Sequence, residues 1–228
     1  VTITHRGYIK RVPSKTYEKQ KRGGKGKVAI TTYDDDFIEQ FFTSDAHDTL
    51  MFVTNHGQLY WLKVYKIPEG SRTAKGKAVV NLIDLQADEK IMAIIPTTDF
   101  NSNKSLCFFT KNGIVKRTNL SEYQNIRSTG IKAIKLDDDD EVVTALIAER
   151  DISENLDNEK DLKSNDEIFG DEDELDSNDE ILENENSENE DLQADGTKII
   201  VVTQKGMCIK FMLSNVREIG RVSRGVTA

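Results

Sequence analysis

MFVTNHGQLYWL, residues 51–62, sets two apolar runs around a short polar turn that ends in glycine. The same arrangement returns as VTITHRGYIKRV at 1–12, CFFTKNGIVKRT at 107–118 and VVTQKGMCIKF at 201–211. In all four a threonine (Thr4, Thr54, Thr110, Thr203) stands three residues before a glycine (Gly7, Gly57, Gly113, Gly206). Apolar, β-branched runs on either side of an X-Gly pair predict a two-residue β-hairpin with both turn residues at positive φ. The pairs are Arg6-Gly7, His56-Gly57, Asn112-Gly113 and Lys205-Gly206. Four hairpins from one repeated pattern predict a repeat architecture.

A second glycine follows each hairpin, at Gly26, Gly76, Gly130 and Gly225, offset by 19, 19, 17 and 19 residues. Beyond it come the apolar stretches KVAI, KAVVNLI, IKAIKL and VTA, and then DFIEQFFT, EKIMAIIPT and EVVTALIAE in the first three units. Each unit therefore reads as about four strands, and no long helical periodicity intervenes. The predicted fold class is all-β, with four-stranded blades that leave few exposed edges. The fourth unit stops at Ala228 within the strand its siblings complete, so we expect a truncated ring. Val1 opens the chain within a strand-like run, which also reads as an excerpt of a longer protein.

Hairpin glycines are spaced by 50, 56 and then 93 residues, and an acidic block accounts for the excess. Residues 151–195 hold 20 Asp and Glu against 2 Lys, repeat SNDEI, and include Phe169 as the one aromatic. Such composition buries too little apolar surface to offset the entropy of ordering, so we expect a disordered insertion. The predicted organisation is blades 1–3 over 1–150, the insertion over 151–195, and the start of a fourth blade over 196–228. Outside the block, 29 basic residues face 20 acidic ones, although the whole chain carries −9. Residues 1–33 hold nine Lys or Arg and one Glu, concentrated in QKRGGKGK at 20–27. Glycine-interleaved cations at that density point to a polyanion. Two roles for the block stay open: a tethered competitor for the basic surface, or a solvated spacer.

Other features are read as structural. Cys107 and Cys208 lie in apolar runs and are expected to be buried, reduced thiols, without metal spacing. His5, His47 and His56 are scattered near turns, GGKGK lacks the phosphate-loop spacing, and Trp61, Phe108 and Phe109 are expected in the core. No run of about 18 apolar residues is present and no leader precedes the first strand, so a cytoplasmic location without a membrane partner is expected. No nucleophile–base arrangement argues for catalysis.

With a blade repeat and QKRGGKG in its first unit, the chain resembles the C-terminal domain of DNA gyrase A, of the type IIA topoisomerases. That family carries a Gln-Arg-Arg-Gly-Gly-Lys-Gly box in its first blade. Here the box reads Gln20, Lys21, Arg22, Gly23, Gly24, Lys25 and Gly26, with Lys for one Arg, and Lys27 follows. GYIKR at 7–11, GIVKR at 113–117 and VREIGRVSRGV at 216–226 are similar to family segments. The resemblance implies a β-pinwheel, a propeller relative whose blades exchange strands, binding and wrapping double-stranded DNA without catalysis or cofactor in this stretch. It also implies an ATP- and Mg-dependent holoenzyme in the nucleoid, in which the rest of gyrase A joins gyrase B as a heterotetramer. The homologous topoisomerase IV domain, where the box is degenerate or missing, and a protein-interaction scaffold are the alternatives.

The cations expected along the DNA-binding rim recur at two places in the repeat. One set follows the hairpin glycine: Lys10 and Arg11, Lys63, Lys116 and Arg117, and Lys210. The other flanks the second glycine: Arg72, Lys75 and Lys77; Arg127 and Lys132; Arg221 and Arg224. Arg and Lys neutralise phosphates, and box glycines allow close approach of backbone N–H groups.

Overall fold

The computed structural model describes residues 1–17, 28, 30–101, 103–127, 129–149 and 196–227. The box residues Gln20 to Lys27 and the acidic block 151–195 lie outside them. The described chain is built from β-strands and single 3₁₀ turns, and it divides into two compact units. One comprises Val1–Ala148 with Val216–Ala228; the other is Glu149–Asn215.

The first unit holds three four-stranded antiparallel sheets. Strands β1 (Thr2–Thr4), β2 (Tyr8–Lys10) and β3 (Ile38–Phe41) form the first with β6 (Lys77–Ala78), in the order β3-β1-β2-β6. The second combines β4 (Thr49–Thr54), β5 (Gln58–Lys63), β7 (Ile91–Thr97) and β10 (Ile131–Lys132), ordered β10-β5-β4-β7. The third combines β8 (Lys104–Thr110), β9 (Ile114–Asn119), β11 (Val142–Glu149) and β14 (Val226–Thr227), ordered β11-β8-β9-β14. In the second unit β12 (Lys198–Val202) pairs with β13 (Cys208–Met212).

Each full sheet thus receives its last strand from the following repeat. The residue three after the second glycine seals the exchange: Val79 N–H donates to Gly7 C=O at 2.9 Å, and Ala133 N–H to Gly57 C=O at 2.8 Å. The glycine is required for close approach. Gly76 has φ +90°, and a Cβ there would stand 2.8 Å from the Ile9 carbonyl oxygen. The exchanged strands are shorter than the apolar stretches suggested, since KAVVNLI turns into a 3₁₀ turn at Val79–Asn81. KVAI is not a strand at Val28 or Ile30, because among the described residues no earlier sheet receives it.

The hairpins are not the two-residue kind. Among the described non-glycine residues only Asp35 has positive φ, whereas Gly7, Gly57, Gly113 and Gly206 lie between 72° and 83°. Each glycine N–H donates to the carbonyl of its threonine, at 2.9, 3.0, 3.1 and 2.9 Å. That is a type I turn closed by a left-handed glycine. Threonine recurs because its Oγ1 accepts the N–H of the residue after the glycine, Tyr8, Gln58, Ile114 or Met207, at 3.1–3.2 Å.

Alternation along β4 shows why its run is apolar throughout. Leu50 and Phe52 enter one core cluster with Ile3, Ile9 and Ile67; Met51 and Val53 enter a second with Leu106, Phe108 and Tyr123. Both faces of the middle sheet are covered, and each such side chain contributes about 1.5–3 kcal/mol by burial. Cys107, on inner strand β8, is buried, and burial pushes its thiol up to about 12. Cys208 is exposed, contrary to expectation: among the described residues its sheet has two strands, without the flanking strands that enclose Cys107.

Candidate nucleic-acid interface

The cations around the second glycine gather where each exchanged strand begins. Counting back from Gly26, Gly76 and Gly225, the fourth residue is Arg22, Arg72 and Arg221, and the first is Lys25, Lys75 and Arg224. The box and the loops of the second and fourth repeats therefore occupy the same position in the repeat. The box itself lies outside the described residues; the other two loops are described.

Loop 67–76 rests on β2. Arg11 N–H donates to Pro68 C=O at 3.2 Å, and Gly70 N–H returns to Arg11 C=O at 3.0 Å. Arg11 Nε donates to Ile67 C=O at 2.8 Å while its guanidinium pairs with Glu69 at 2.8 Å. Lys10 Nζ reaches the carbonyls of Ser71 and Arg72 at 3.2 and 2.5 Å. Loop 216–225 sits on β9 in the same manner. Ile219 N–H donates to Arg117 C=O at 3.0 Å, and the Arg117 guanidinium reaches Val216 C=O at 3.4 Å and Ser105 Oγ at 3.1 Å. Lys116 Nζ donates to the carbonyls of Ala133, at 2.6 Å, and Arg221.

Lys10, Lys116 and Arg117 are consequently corrected as rim residues. They are 1%, 0% and 2% exposed, and a phosphate has no access to side chains so enclosed. Burial lowers the Lys10 ammonium pKa, helped by Arg72. It lowers that of Lys116 to about 8, with Glu122 opposing and Arg221 adding to the shift. Arg11 is partly exposed but committed to Ile67 and Glu69. Lys63 is half-buried, donating to His47 C=O at 2.9 Å.

The second set fares differently. Lys77, Arg127, Lys132 and Arg224 are exposed, and Arg72, Lys75 and Arg221 are half-exposed. Lys75 Nζ stands 3.7 Å from the Tyr33 ring, a cation–π contact that holds the ammonium at the surface. At the equivalent place Arg224 pairs with Asp137 at 2.6 Å. The Arg72 guanidinium donates to Val28 C=O, and that of Arg221 to Glu122 C=O at 3.4 Å. Lys77 opposes Ile9 whereas Lys132 opposes Gln58, so their side chains leave opposite faces of the exchanged strands. Lys210 is exposed on β13 of the second unit.

Sequence reasoning missed Trp61 as a member of this system. It stands four residues after Gly57, as Arg11 and Arg117 do after Gly7 and Gly113, and its Nε1 donates to Ile126 C=O at 2.9 Å. Column-by-column alignment of the hairpins carries that signal; residue type conceals it.

The family model for the DNA gyrase C-terminal domain, a β-propeller, matches residues 1–45, 48–98, 104–149 and 197–228. The chain belongs to the DNA gyrase C-terminal domain family. The gap between the last two matched segments coincides with the acidic block. The DNA gyrase A protein of Campylobacter jejuni subsp. jejuni serotype O:2 is 71% identical over all of this chain and 25% of its own length. That of Helicobacter pylori strain 26695 is 48% identical over 99% of this chain and 22% of its own. The chain thus spans about a quarter of the length of these relatives. Among solved structures, the C-terminal domain of DNA topoisomerase IV aligns with TM-score 0.69 at 23% identity, over 99% of this chain and 55% of that one. A DNA gyrase A C-terminal domain aligns with TM-score 0.61 at 23% identity, over 99% and 58%. These two likenesses establish the shared pinwheel fold.

Proposed function

We propose that this gyrase C-terminal domain binds duplex DNA without sequence preference and bends it into a chiral wrap. In that reading it supports ATP-dependent negative supercoiling by a heterotetramer of gyrase A and gyrase B, with ATP, Mg and strand cleavage on other domains. The observation that carries the proposal is the cationic loop repeated at the exchanged-strand edge of every four-stranded sheet: Arg72, Lys75 and Lys77; Arg127 and Lys132; Arg221 and Arg224. Bending a short duplex costs about 1–6 kcal/mol, so a wrap needs several sequence-tolerant phosphate contacts spread along its path. Repeated loops supply contacts of that kind, and in the sequence the box holds the corresponding position of the first repeat.

The test is affinity for random-sequence duplexes of increasing length across a salt series. Wrapping requires affinity that rises with length and a log–log salt slope of about −0.9 per phosphate neutralised. Indifference to length would overturn the proposal and favour a scaffold that engages an acidic protein. Ligation of nicked plasmid in the protein's presence gives the handedness, and trapped positive supercoils are expected.

A further inference from the structure

Two buried lysines remain without a role in phosphate binding. Each does the same thing: Lys10 holds the carbonyl of Arg72, and Lys116 holds the carbonyl of Arg221. Arg72 and Arg221 occupy one repeat position, four before the second glycine. In both cases, therefore, the residue whose backbone is pinned is also one that offers a guanidinium at the sheet edge.

The second sheet provides an internal comparison. Tyr60 stands where the first and third sheets have lysine, three residues after the hairpin glycine. Its hydroxyl donates to Glu89 at 2.7 Å. The loop it faces is two residues shorter, its glycines offset by 17 rather than 19. The buried lysine thus accompanies the longer loop with arginine at this position, within one polypeptide and one sheet geometry. A sheet needs no buried ammonium at this post, since tyrosine fills it. The longer loop has more backbone to fix, and a long flexible arm ending in several N–H donors reaches two carbonyls at once. These are Ser71 and Arg72 for Lys10, and Arg221 of the loop with Ala133 for Lys116.

We propose that Lys10 and Lys116 are positioning residues for the DNA path: each pins the backbone of a cationic loop on the preceding sheet and so fixes where its arginine meets phosphate. This rests on the wrapping function proposed above. Loosening the pins leaves the number of cations at the sheet edges unchanged but lets the loops wander, so contact with DNA survives while the curvature imposed on it declines.

The experiment uses the full-length polypeptide that carries this chain, with Lys10→Met and Lys116→Met combined. Supercoils trapped on ligated nicked plasmid and the salt slope on a duplex too short to wrap are measured side by side. The expected result is about half as many trapped supercoils or fewer, a slope within about one phosphate's worth of the original, and recovery with Lys→Arg at both sites. A fall in both measurements together, or in neither, would overturn the assignment. Should the Met pair not fold, the Lys→Gln pair, which keeps an N–H donor on a shorter arm, is judged by the same two criteria. If the unsubstituted polypeptide traps no supercoils, the wrapping function fails first, and the inference falls with it.

Discussion

Gly130→Ala places a single methyl group where an exchanged strand meets its host sheet. Gly130 has φ +74°, and its Cβ would stand 2.6 Å from Tyr60 Cε1 and 2.8 Å from Cδ1. The ring has little room to yield: Tyr60 is 2% exposed and its hydroxyl is tied to Glu89 at 2.7 Å. Gly113→Ala provides the control, because Gly113 has nearly the same φ, +79°, with nothing within 4 Å of its Cβ. Left-handed backbone costs alanine about 1–2 kcal/mol, offset by about 0.4–1 kcal/mol through the less flexible unfolded chain. The control is therefore expected to lose about 1 kcal/mol. Overpacking adds about 1–3 kcal/mol at Gly130, for a total of about 2–4 kcal/mol. At about 2–4 °C per kcal/mol for a chain of this size, Tm falls by roughly 4–16 °C, against a few degrees for the control. Thermal and urea unfolding of both variants beside the parent measure the difference. Equal losses, within about 0.5 kcal/mol, would refute the idea that the exchanged strand docks through a glycine-specific contact.

Thr110→Val keeps the shape of the hairpin threonine but removes the acceptor for Ile114 N–H; urea denaturation is expected to show a loss of about 1–3 kcal/mol, with Thr110→Ser near the parent. Lys116 titrates near 8 in the fold but at its ordinary 10.5 when unfolded. Between those values the unfolded chain binds the extra proton, so stability relative to Lys116→Met rises as pH increases from about 8 to 10.5, and paired denaturation curves across that window check the sign. Arg127→Ala and Lys132→Ala are each expected to reduce the salt slope of duplex binding by about 0.9, while the slope is unmoved by Thr110→Ser. A thiol reagent should modify Cys208 in the native chain and reach Cys107 only after denaturation, as counted by absorbance of the released chromophore.

Much of the fold was legible because the repeat is encoded in short-range chemistry. Thr and Gly three apart specify a turn through one side-chain acceptor and one left-handed backbone, and both act within five residues. Two-residue and three-residue turns both end in such a glycine, however, so the pattern located the hairpins without settling their type. The cations after the hairpin glycine were misplaced for a related reason. Lys10 and Lys116 read as solvated charge in a strand, and burial is made tolerable by carbonyls of loops some 60 to 105 residues later, joined for Lys116 by that of Ala133. Cations beside the second glycine were legible as surface residues, since the loop that carries them precedes an edge strand.

By itself, then, the sequence determined the four hairpins, the all-β class, the separation of acidic from basic charge and the family resemblance, since each is written in local pattern and composition. Tertiary structure alone decided which sheet each last strand completes and which cations face water. Both depend on pairing between successive repeats: the strand-sized stretch after the second glycine is compatible with either neighbouring sheet, and the choice is made where Gly76 meets Ile9, Gly130 meets Tyr60 and Gly225 meets Val115.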